Sequence, residues 1–349
     1  MHGALTRAVA AASRVRHARR RIPPSIRFGT VPDRAPRIFY LSPGTPTPRG
    51  GVRVLYRHVD LLNEAGFSAA VVHRTTRGRS VWFEAETPVL AGRDVVVGAE
   101  DVLVVPEYYG AMLRRVPRAT KVVLFNQGPY YTFDGMAGED LRALVDGKNW
   151  SVLTVSEDAR ELLRFAFDPL PVKIARPVVD AAVFHPGDGA GIRRRIAYMT
   201  NRLPQERHQL LSILVGRGRL SGWEFVPIEG MGEREVAEVL RSSAIFLSFS
   251  DRDGFGLPPA EAMACGCFVV GHHGGGGREF FDPAYSVIVD AGDVLGFARA
   301  VEEAARQFES DRRALRLAGL RASATVLGRY STEGLRADLT SFYSGVLMQ

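Results

Sequence analysis

Short apolar runs alternate with amphipathic stretches along the chain from residue 36 onward. The runs are rich in β-branched residues, only a few residues long and bounded by turn residues, which is typical of buried parallel strands. Between the first two runs lies the predicted helix 52–65, which Gly66 ends. Its apolar positions at helical spacing are Val54, Leu55, Leu61 and Leu62. The first five predicted strands are 37–42, 68–74, 101–106, 121–126 and 151–156.

The same alternation repeats in the second half of the chain. Predicted strands lie at 194–200, 224–229, 244–250, 267–272 and 286–290, and predicted helices lie near 204–216, 232–242, 258–265 and 292–308. Parallel strands need helical crossovers, so two consecutive series of this kind predict an α/β protein with two doubly wound domains.

The pattern divides the chain into four parts. We expect a basic flexible leader at 1–35, a first domain at 36–176, a second domain at 177–330 and a C-terminal helix at 331–349 that packs back toward the first domain. The proline- and glycine-bearing stretch 177–191 is the predicted link. Ligands of such sheets bind beyond the carboxyl ends of the strands, so the loops that follow strands are the candidate sites.

Charge is distributed unevenly along the chain. Of the 349 residues, 46% are hydrophobic and 24% charged, as in soluble globular proteins, and the net charge is +7. Residues 1–32 hold seven arginines and no acid, which leaves 38 basic residues against 38 acidic ones in the remainder. The body therefore has no excess charge for a nucleic-acid backbone, and no nucleic-acid partner is expected.

The leader permits three interpretations. It is a disordered tail, a segment attracted to anionic lipid at a membrane surface, or an organelle transit peptide, which is also arginine-rich and poor in acids. No apolar run reaches the roughly 18–20 residues of a membrane span. With only two cysteines, one residue apart, a cytoplasmic location is expected, with the inner face of the membrane as an alternative.

The segment "DRDGFGLPPAEAMACG", residues 251–266, carries the strongest candidate chemistry. Gly254 and Gly256 allow the backbone to approach a ligand closely, and the two prolines after them suit the first turn of a helix. A helix start of this kind presents free N–H groups that favour phosphate. Glu261 can accept two hydrogen bonds from a ribose diol, and Asp253 can accept them from sugar hydroxyls.

Residues 253–281 resemble the signature of family-4 retaining glycosyltransferases with the GT-B fold. In that family, two acids separated by seven residues enclose a Gly-Phe-Gly-Leu-Pro-Pro turn, and a glycine pair and a glutamate follow. Asp253 and Glu261 match the acids, although the first is usually glutamate. Further matches are Gly275, Gly276 and Glu279 in this segment, Gly50 and Gly51 before the first helix, Asp180, Phe184 and Pro186 after the first domain, and Arg202 and Arg207, of which the second is usually lysine.

The resemblance implies two Rossmann-like domains facing across a cleft, the first on the acceptor side and the second holding the donor. The implied activity is transfer of a hexosyl or deoxyhexosyl group from a nucleotide diphosphate sugar to a glycan or lipid-linked acceptor in polysaccharide biosynthesis, with retention and without a metal or separate cofactor. The implied catalytic residues are Gln127, Arg202, Arg207 and Asp253. The implied donor-binding residues are Gly50, Gly51, Arg202, Arg207, Asp253, Gly254, Phe255, Gly256 and Glu261.

One departure from the family pattern leaves other functions open. The family often has a histidine after the fourth strand of the first domain, and this chain has Gln127 there, which cannot act as a base. A retaining enzyme whose leaving phosphate serves as the base tolerates this change. The alternatives are a non-catalytic protein that binds a sugar nucleotide or glycan on a GT-B scaffold, and a sugar-nucleotide 2-epimerase.

Other residues carry weaker signals. The triplet 251–253 is an Asp-x-Asp, but one tripeptide lacks a full ligand set for a metal. Cys265 and Cys267, with His272 and His273 nearby, include zinc-type ligands, yet packing in the core is the favoured interpretation of the cysteines. The four tyrosines of the strand-end loops in the first domain either pack in the core or stack on an acceptor sugar; they are Tyr108, Tyr109, Tyr130 and Tyr131.

Overall fold

The computed structural model describes residues 22–31, 34–43, 50–75, 85–134, 142, 145, 149–189 and 191–348. Most of the predicted leader, residues 1–21, lies outside the described residues. Among the described residues, no helix combines the length and apolar character needed to cross a membrane.

The strands that the structure describes are β1 Arg27–Phe28, β2 Arg37–Leu41, β3 Ser68–His73, β4 Val89–Ala91, β5 Val96–Val97, β6 Val102–Pro106, β7 Lys121–Asn126, β8 Trp150–Thr154, β9 Val172–Ile174, β10 Arg193–Met199, β11 Glu224–Ile228, β12 Ser243–Asp253, β13 Phe268–Gly275 and β14 Ser286–Ile288. The helices are α1 Gly50–Glu64, α2 Tyr131–Asp134, α3 Glu157–Ala166, α4 Pro204–Arg217, α5 Glu233–Ser242, α6 Leu257–Ala264, α7 Val294–Ser310, α8 Arg312–Arg329 and α9 Thr332–Leu347. Short 3₁₀ segments lie at Gly92–Asp94, Glu107–Arg115 and Gly276–Glu279.

Two parallel sheets form the two halves of the molecule. The first has seven strands in the order β4-β3-β2-β6-β7-β8-β9, and the second has five in the order β11-β10-β12-β13-β14. All strand pairs in both sheets are parallel. The strands β6 and β7 are buried along their whole length, as expected for a sheet covered on both faces. The predicted fold of two doubly wound α/β domains is confirmed.

Part of the predicted leader packs on the first domain. Strand β1 pairs with β5 in a small separate sheet, with Arg27 opposite Val96 and Phe28 opposite Val97. Ile26 and Phe28 also pack against the core cluster of the first domain. Residues 27–28 therefore belong to the folded body, which sequence patterning did not anticipate because a two-residue strand has no detectable period.

Helix α8 also has no counterpart among the predicted elements. Its buried face consists of Leu315, Gly319, Ala322, Ser323 and Val326, most of them small. A Cβ atom on Gly319 would lie 2.1 Å from the carbonyl oxygen of Gly266, so the small residues allow close packing. Small residues make the buried face of α8 hardly more hydrophobic than its exposed face. The periodic pattern that would predict a helix from the sequence is therefore weak.

The C-terminal helix α9 crosses back to the first domain. The hydroxyl of Tyr343 lies 2.7 Å from that of Tyr40 on β2, which lies 3.2 Å from Nδ1 of His58 on α1. Arg176 donates to Asp338 at 2.7 Å. These contacts attach the C-terminal helix α9 to the core of the first domain.

Candidate active site between the two domains

The candidate site lies where the carboxyl ends of β7 and β12 face each other across the two domains. Strand β12 runs to Asp253, three residues beyond the predicted strand end, and Asp253 pairs with Gly275 of β13. Gly256 then adopts a φ of 94° and helix α6 begins at Leu257. The left-handed conformation at Gly256 turns the chain sharply from strand to helix, which favours glycine.

Gly254 permits direct contact between the domains. A Cβ atom at this position would lie 2.0 Å from the carbonyl oxygen of Gln127. No side chain fits in that space, so glycine is required for the backbone of the second domain to meet the loop after β7. Phe255, next in the turn, is buried and makes an edge contact with Tyr330. The turn is thus fixed by packing on one side and by the first domain on the other.

Arg202 and Asp253 form an ion pair at the end of β12. Nη2 of Arg202 donates to Oδ1 of Asp253 at 2.7 Å, and the two side chains are 41% and 15% exposed. Burial raises the pKa of Asp253, and the charge of Arg202 opposes that rise. The structure therefore brings together one predicted diphosphate-binding cation and the first acid of the motif.

Arg207 holds the loop that carries Arg202. Its guanidinium donates to the carbonyl oxygen of Thr200 and, at 2.9 Å, to that of Arg202. The loop includes Leu203 with a φ of 35°, an uncommon conformation for a side chain of this kind. The contacts seen for Arg207 are thus with protein backbone, and its contact with a diphosphate stays a prediction.

Glu261 is engaged by an arginine from the first domain. Arg53 on α1 donates through Nη2 to Oε1 of Glu261 and through Nη1 to Oε1 of Glu233 on α5. Burial raises the pKa of Glu261, Arg53 opposes that rise, and the negative charge of Glu233 adds to it. The second acid of the motif is therefore part of a three-residue cluster that spans both domains.

The two glycines at the start of α1 lie in the same seam. A Cβ atom on Gly50 would lie 2.8 Å from the side chain of Leu257, and one on Gly51 would lie 3.3 Å from Oε1 of Gln127. The first turn of α1 therefore lies beside the first turn of α6, and one helical turn further on Arg53 meets Glu261. The preceding loop, residues 44–49, lies outside the described residues.

Gln127 is held at both its backbone and its side chain. Its Nε2 donates to the carbonyl oxygen of Gly51 at 3.0 Å. The carboxyl of Glu107 accepts hydrogen bonds from the backbone N–H groups of Gln127 at 3.3 Å and Gly128 at 3.1 Å. Burial raises the pKa of Glu107 to about 7, although these N–H groups favour the ionised form. The loop after β7 is thus positioned by a buried acid that sequence inspection did not single out.

A second seam joins the domains around Glu279. Oε1 of Glu279 accepts a hydrogen bond from the backbone N–H of Glu157, and Oε2 accepts from the hydroxyl of Tyr330 at 3.1 Å. Arg278 donates to Asp158 at 2.7 Å, again between the domains. The glutamate that matches the family pattern therefore connects the start of α3 to the chain just before α9.

The aromatic residues of the strand-end loops divide into two groups. Tyr109 is buried in the core, where it makes an edge contact with Tyr108. Tyr130 and Tyr131 remain 38% and 49% exposed. Arg252 from the second domain lies over the Tyr130 ring at 5.6 Å. Partly exposed aromatic rings at a strand end are of the kind that stack on sugars.

The cysteines and histidines considered as zinc ligands have protein partners. Cys267 is buried and donates to the carbonyl oxygen of Leu240 at 3.1 Å, and burial raises the pKa of Cys265 to about 12. His272 contacts the carbonyl oxygen of Val289 at 2.8 Å and a carboxyl oxygen of Glu206. In the described part of the chain, no group of three or more metal-ligating side chains is found.

Sequence inspection missed several residues of this site, among them Arg53, Glu233 and Glu107. Arg53 and Glu233 lie on the polar faces of amphipathic helices, where charged residues usually face solvent. Their partners come from the other domain, and no short-range pattern encodes that contact. Glu107 follows directly on a strand end, and this position is the one signal that could have identified it.

Comparison with known proteins relates the chain to glycosyltransferases. Residues 227–317 match the family described as glycosyl transferases group 1, a segment that includes Asp253 and Glu261. An alpha-1,6-glucosyltransferase of Actinobacillus pleuropneumoniae is 24% identical over 271 residues, 74% of this chain and 80% of that protein.

Solved structures share the fold. Sucrose-phosphate synthase from Thermosynechococcus elongatus superimposes with a TM-score of 0.64 at 14% identity, over 90% of this chain and 100% of that one. Anabaena HepE in complex with UDP and glucose gives a TM-score of 0.65 at 12% identity, over 89% of this chain and 100% of that one. The family match and the shared architecture support a glycosyltransferase enzyme with the GT-B fold.

Proposed function

We propose that the protein is a family-4-like retaining glycosyltransferase, which moves a sugar from a nucleotide diphosphate sugar to a glycan or lipid-linked acceptor in polysaccharide biosynthesis. One observation carries the proposal. The Arg202–Asp253 ion pair lies at the end of β12, and the buried carboxyl of Glu261 follows the Gly256 turn and the first turn of α6. A cation and two acids at one strand end match what a diphosphate, a sugar and a ribose require.

In this proposal, the second domain holds the donor. Glu261 accepts hydrogen bonds from the ribose diol, and Asp253 accepts them from the hydroxyls of the transferred sugar. Arg202 neutralises the diphosphate as negative charge develops on it, with Arg207 beside it. Gly50 and Gly51 approach the ligand from the first domain, and closure of the domains excludes water from the reaction.

Retention follows from a front-side reaction in the proposed mechanism. The bond between the anomeric carbon and the diphosphate oxygen breaks, and the acceptor hydroxyl oxygen attacks the same face of the sugar. The hydroxyl proton passes to the leaving diphosphate, so no protein base is needed. The amide of Gln127, which donates to Gly51, is suited to orienting a hydroxyl but not to taking a proton.

The names of similar proteins suggest where to begin the search for the donor. HepE has been seen with UDP and glucose, and the bacterial relative is described as a glucosyltransferase. UDP-glucose is therefore the first donor to test, within a panel of nucleotide sugars ranked by the rise in Tm of the protein. Tyr130 and Tyr131 are the proposed stacking surface for the acceptor.

The test is a transfer assay with the stabilising donor and a panel of glycan and lipid-linked acceptors. We expect donor-dependent transfer with retained anomeric configuration, which collapses in Glu261→Ala and in Arg202→Ala while both variants remain folded. Arg194→Ala is the matched control, because Arg194 forms an ion pair with Glu309 on the surface of the same domain. Full activity in both site variants contradicts the proposal, and an epimerised donor or binding without turnover identifies the two alternative functions.

A further inference from the structure

Arg53 lies in an unusual electrostatic position at the boundary of the two domains. It belongs to α1 of the first domain, and both of its carboxylate partners, Glu233 and Glu261, belong to the second. Its side chain is only 15% exposed. Burial of a charged arginine is costly unless nearby acids compensate its charge, and here two acids compensate one cation.

Glu261 depends on this cation for its charge. Its side chain is 8% exposed, and burial by itself favours the neutral carboxylic acid. A neutral acid has one O–H donor and loses part of its accepting capacity, whereas the ionised form accepts with both oxygens. Arg53 donates to Oε1 and so fixes one of the two carboxylate oxygens. An ionised, oriented Glu261 is what a ribose diol requires.

The other charged or titratable groups around the cluster do not replace Arg53. Glu233 on α5 pushes Glu261 toward the neutral form. Cys265, the residue directly after α6, lies close enough to interact with Glu261. Asp180 interacts with Arg53 but is itself paired with Arg57 at 2.9 Å. Arg53 is thus the cation that the structure places on Glu261.

We propose that Arg53 is a positioning residue for the donor: it reaches across from the first domain, keeps Glu261 ionised and orients it toward the ribose. This inference rests on the proposed function, in which Glu261 binds the donor. Because the arginine and the acid lie on different domains, the ribose-binding acid is completed only when the domains are closed. Donor binding and domain closure are therefore coupled through one side chain.

The test compares Arg53→Gln with Arg57→Gln, which removes a neighbouring interdomain arginine from the same helix. Binding of UDP, or of the nucleoside diphosphate from the panel that stabilises the protein most, is measured by calorimetry from about pH 6 to about pH 9, on either side of the range where a buried carboxyl titrates. In Arg53→Gln we expect Kd to rise about tenfold near the acidic end, the equivalent of one pKa unit. Binding by Arg53→Gln should recover toward the alkaline end, because Glu261 ionises at high pH even when no arginine is beside it. Wild type and Arg57→Gln stay nearly flat.

Two further variants sharpen the result. Adding Glu233→Gln to Arg53→Gln removes the repelling acid and should move the recovery to lower pH. Arg53→Lys retains a cation and should restore much of the acidic-side affinity, which a merely structural defect would not do, and Tm measurements verify folding.

Two outcomes refute the proposal separately. If Arg53→Gln binds as wild type, or weakens equally at every pH, while Glu261→Ala still abolishes binding, the role of Arg53 is refuted and the proposed function stands. If Glu261→Ala itself binds normally, the proposed function fails.

Discussion

The two acids of the candidate donor site are met by arginines from different domains. Asp253 pairs with Arg202 of its own domain, and this pair is partly exposed, with Arg202 at 41%. Glu261 pairs with Arg53 of the opposite domain, and both side chains are at most 15% exposed. The first pair survives any separation of the domains, whereas the second exists only while they are in contact.

The difference suggests a division of labour within one site. In the proposed function, the groups assigned to the sugar and the diphosphate are assembled inside the second domain, and the group assigned to the ribose is completed by closure of the domains. Ion pairs near solvent contribute little to stability, but a buried carboxylate that loses its cation is left with an uncompensated charge. The interdomain pair should therefore be the more sensitive to conditions and to mutation.

The largest expected effect comes from preventing closure at Gly254. Gly254→Ala would place a methyl group where the carbonyl oxygen of Gln127 lies, at 2.0 Å, so the domains must move apart. Misplacement of about 1 Å at a reacting centre costs roughly 10²-fold in rate, and we expect at least about that loss of transfer. The measurement is kcat for transfer together with the radius of gyration by X-ray scattering, which should increase. A compact variant with normal kcat contradicts the importance of this contact.

A buried acid held by backbone N–H groups offers the next test. Burial raises the pKa of Glu107 to about 7, so the folded protein favours the neutral acid. A raised pKa means that protonation of Glu107 stabilises the folded protein. This stabilisation is fully present below the pKa that Glu107 has in the unfolded chain, falls as the pH rises toward about 7, and is absent above it. Glutamine does not titrate, so the free energy of unfolding of Glu107→Gln should lack this fall. Relative to wild type, the variant should become more stable by about 3 kcal/mol on going from acidic to alkaline pH. Urea unfolding at both ends of that range measures it, and a pH-independent difference contradicts it.

Removal of Arg202 tests the ion pair that lies within the second domain. Arg202→Gln leaves Asp253 without its cation and should weaken donor binding by about tenfold, the value of roughly one charge-assisted hydrogen bond. The distance between the domains should stay unchanged, because Arg202 and Asp253 lie in the same domain. Calorimetry measures the affinity and X-ray scattering the shape. An altered shape with unchanged affinity would reverse the roles assigned to the two arginines.

The smallest effect is expected at the link between α9 and the first domain. Tyr343→Phe removes a buried hydroxyl that lies 2.7 Å from the hydroxyl of Tyr40, which also contacts His58. The loss of one such hydrogen bond should lower the free energy of unfolding by about 1 kcal/mol. Urea unfolding measures it, and Tyr131→Phe, which changes an exposed tyrosine, serves as the control. Equal stability of both variants contradicts the link.

Sequence patterning predicted most of the fold because its central strands are buried on both faces. Residues 121–126 were predicted as a strand and form β7, and the helix after Gly256 begins within a residue of its expected position. Patterning did not detect β1 or α8, since a two-residue strand has no period and a face of small residues has little contrast.

Spacing in the sequence predicted only those residues of the candidate site that lie close together along the chain. Asp253, Gly254 and Glu261 lie close together along the chain, so their spacing alone predicts a common location. Arg53 reaches Glu261 across 208 positions, and that contact follows from the packing of two domains. The resemblance also predicted a diphosphate-binding role for Arg207, which stays a prediction, and the structure adds its contacts with backbone carbonyl groups, which no motif encodes.

The most direct test of the central claim is a structure with the nucleoside diphosphate that stabilises the protein most. We predict that its ribose hydroxyls contact Glu261, with Arg53 still on the other carboxylate oxygen, and that its diphosphate contacts Arg202. A nucleotide bound elsewhere, or bound with Glu261 facing only protein, would contradict the claim that both domains complete one donor site.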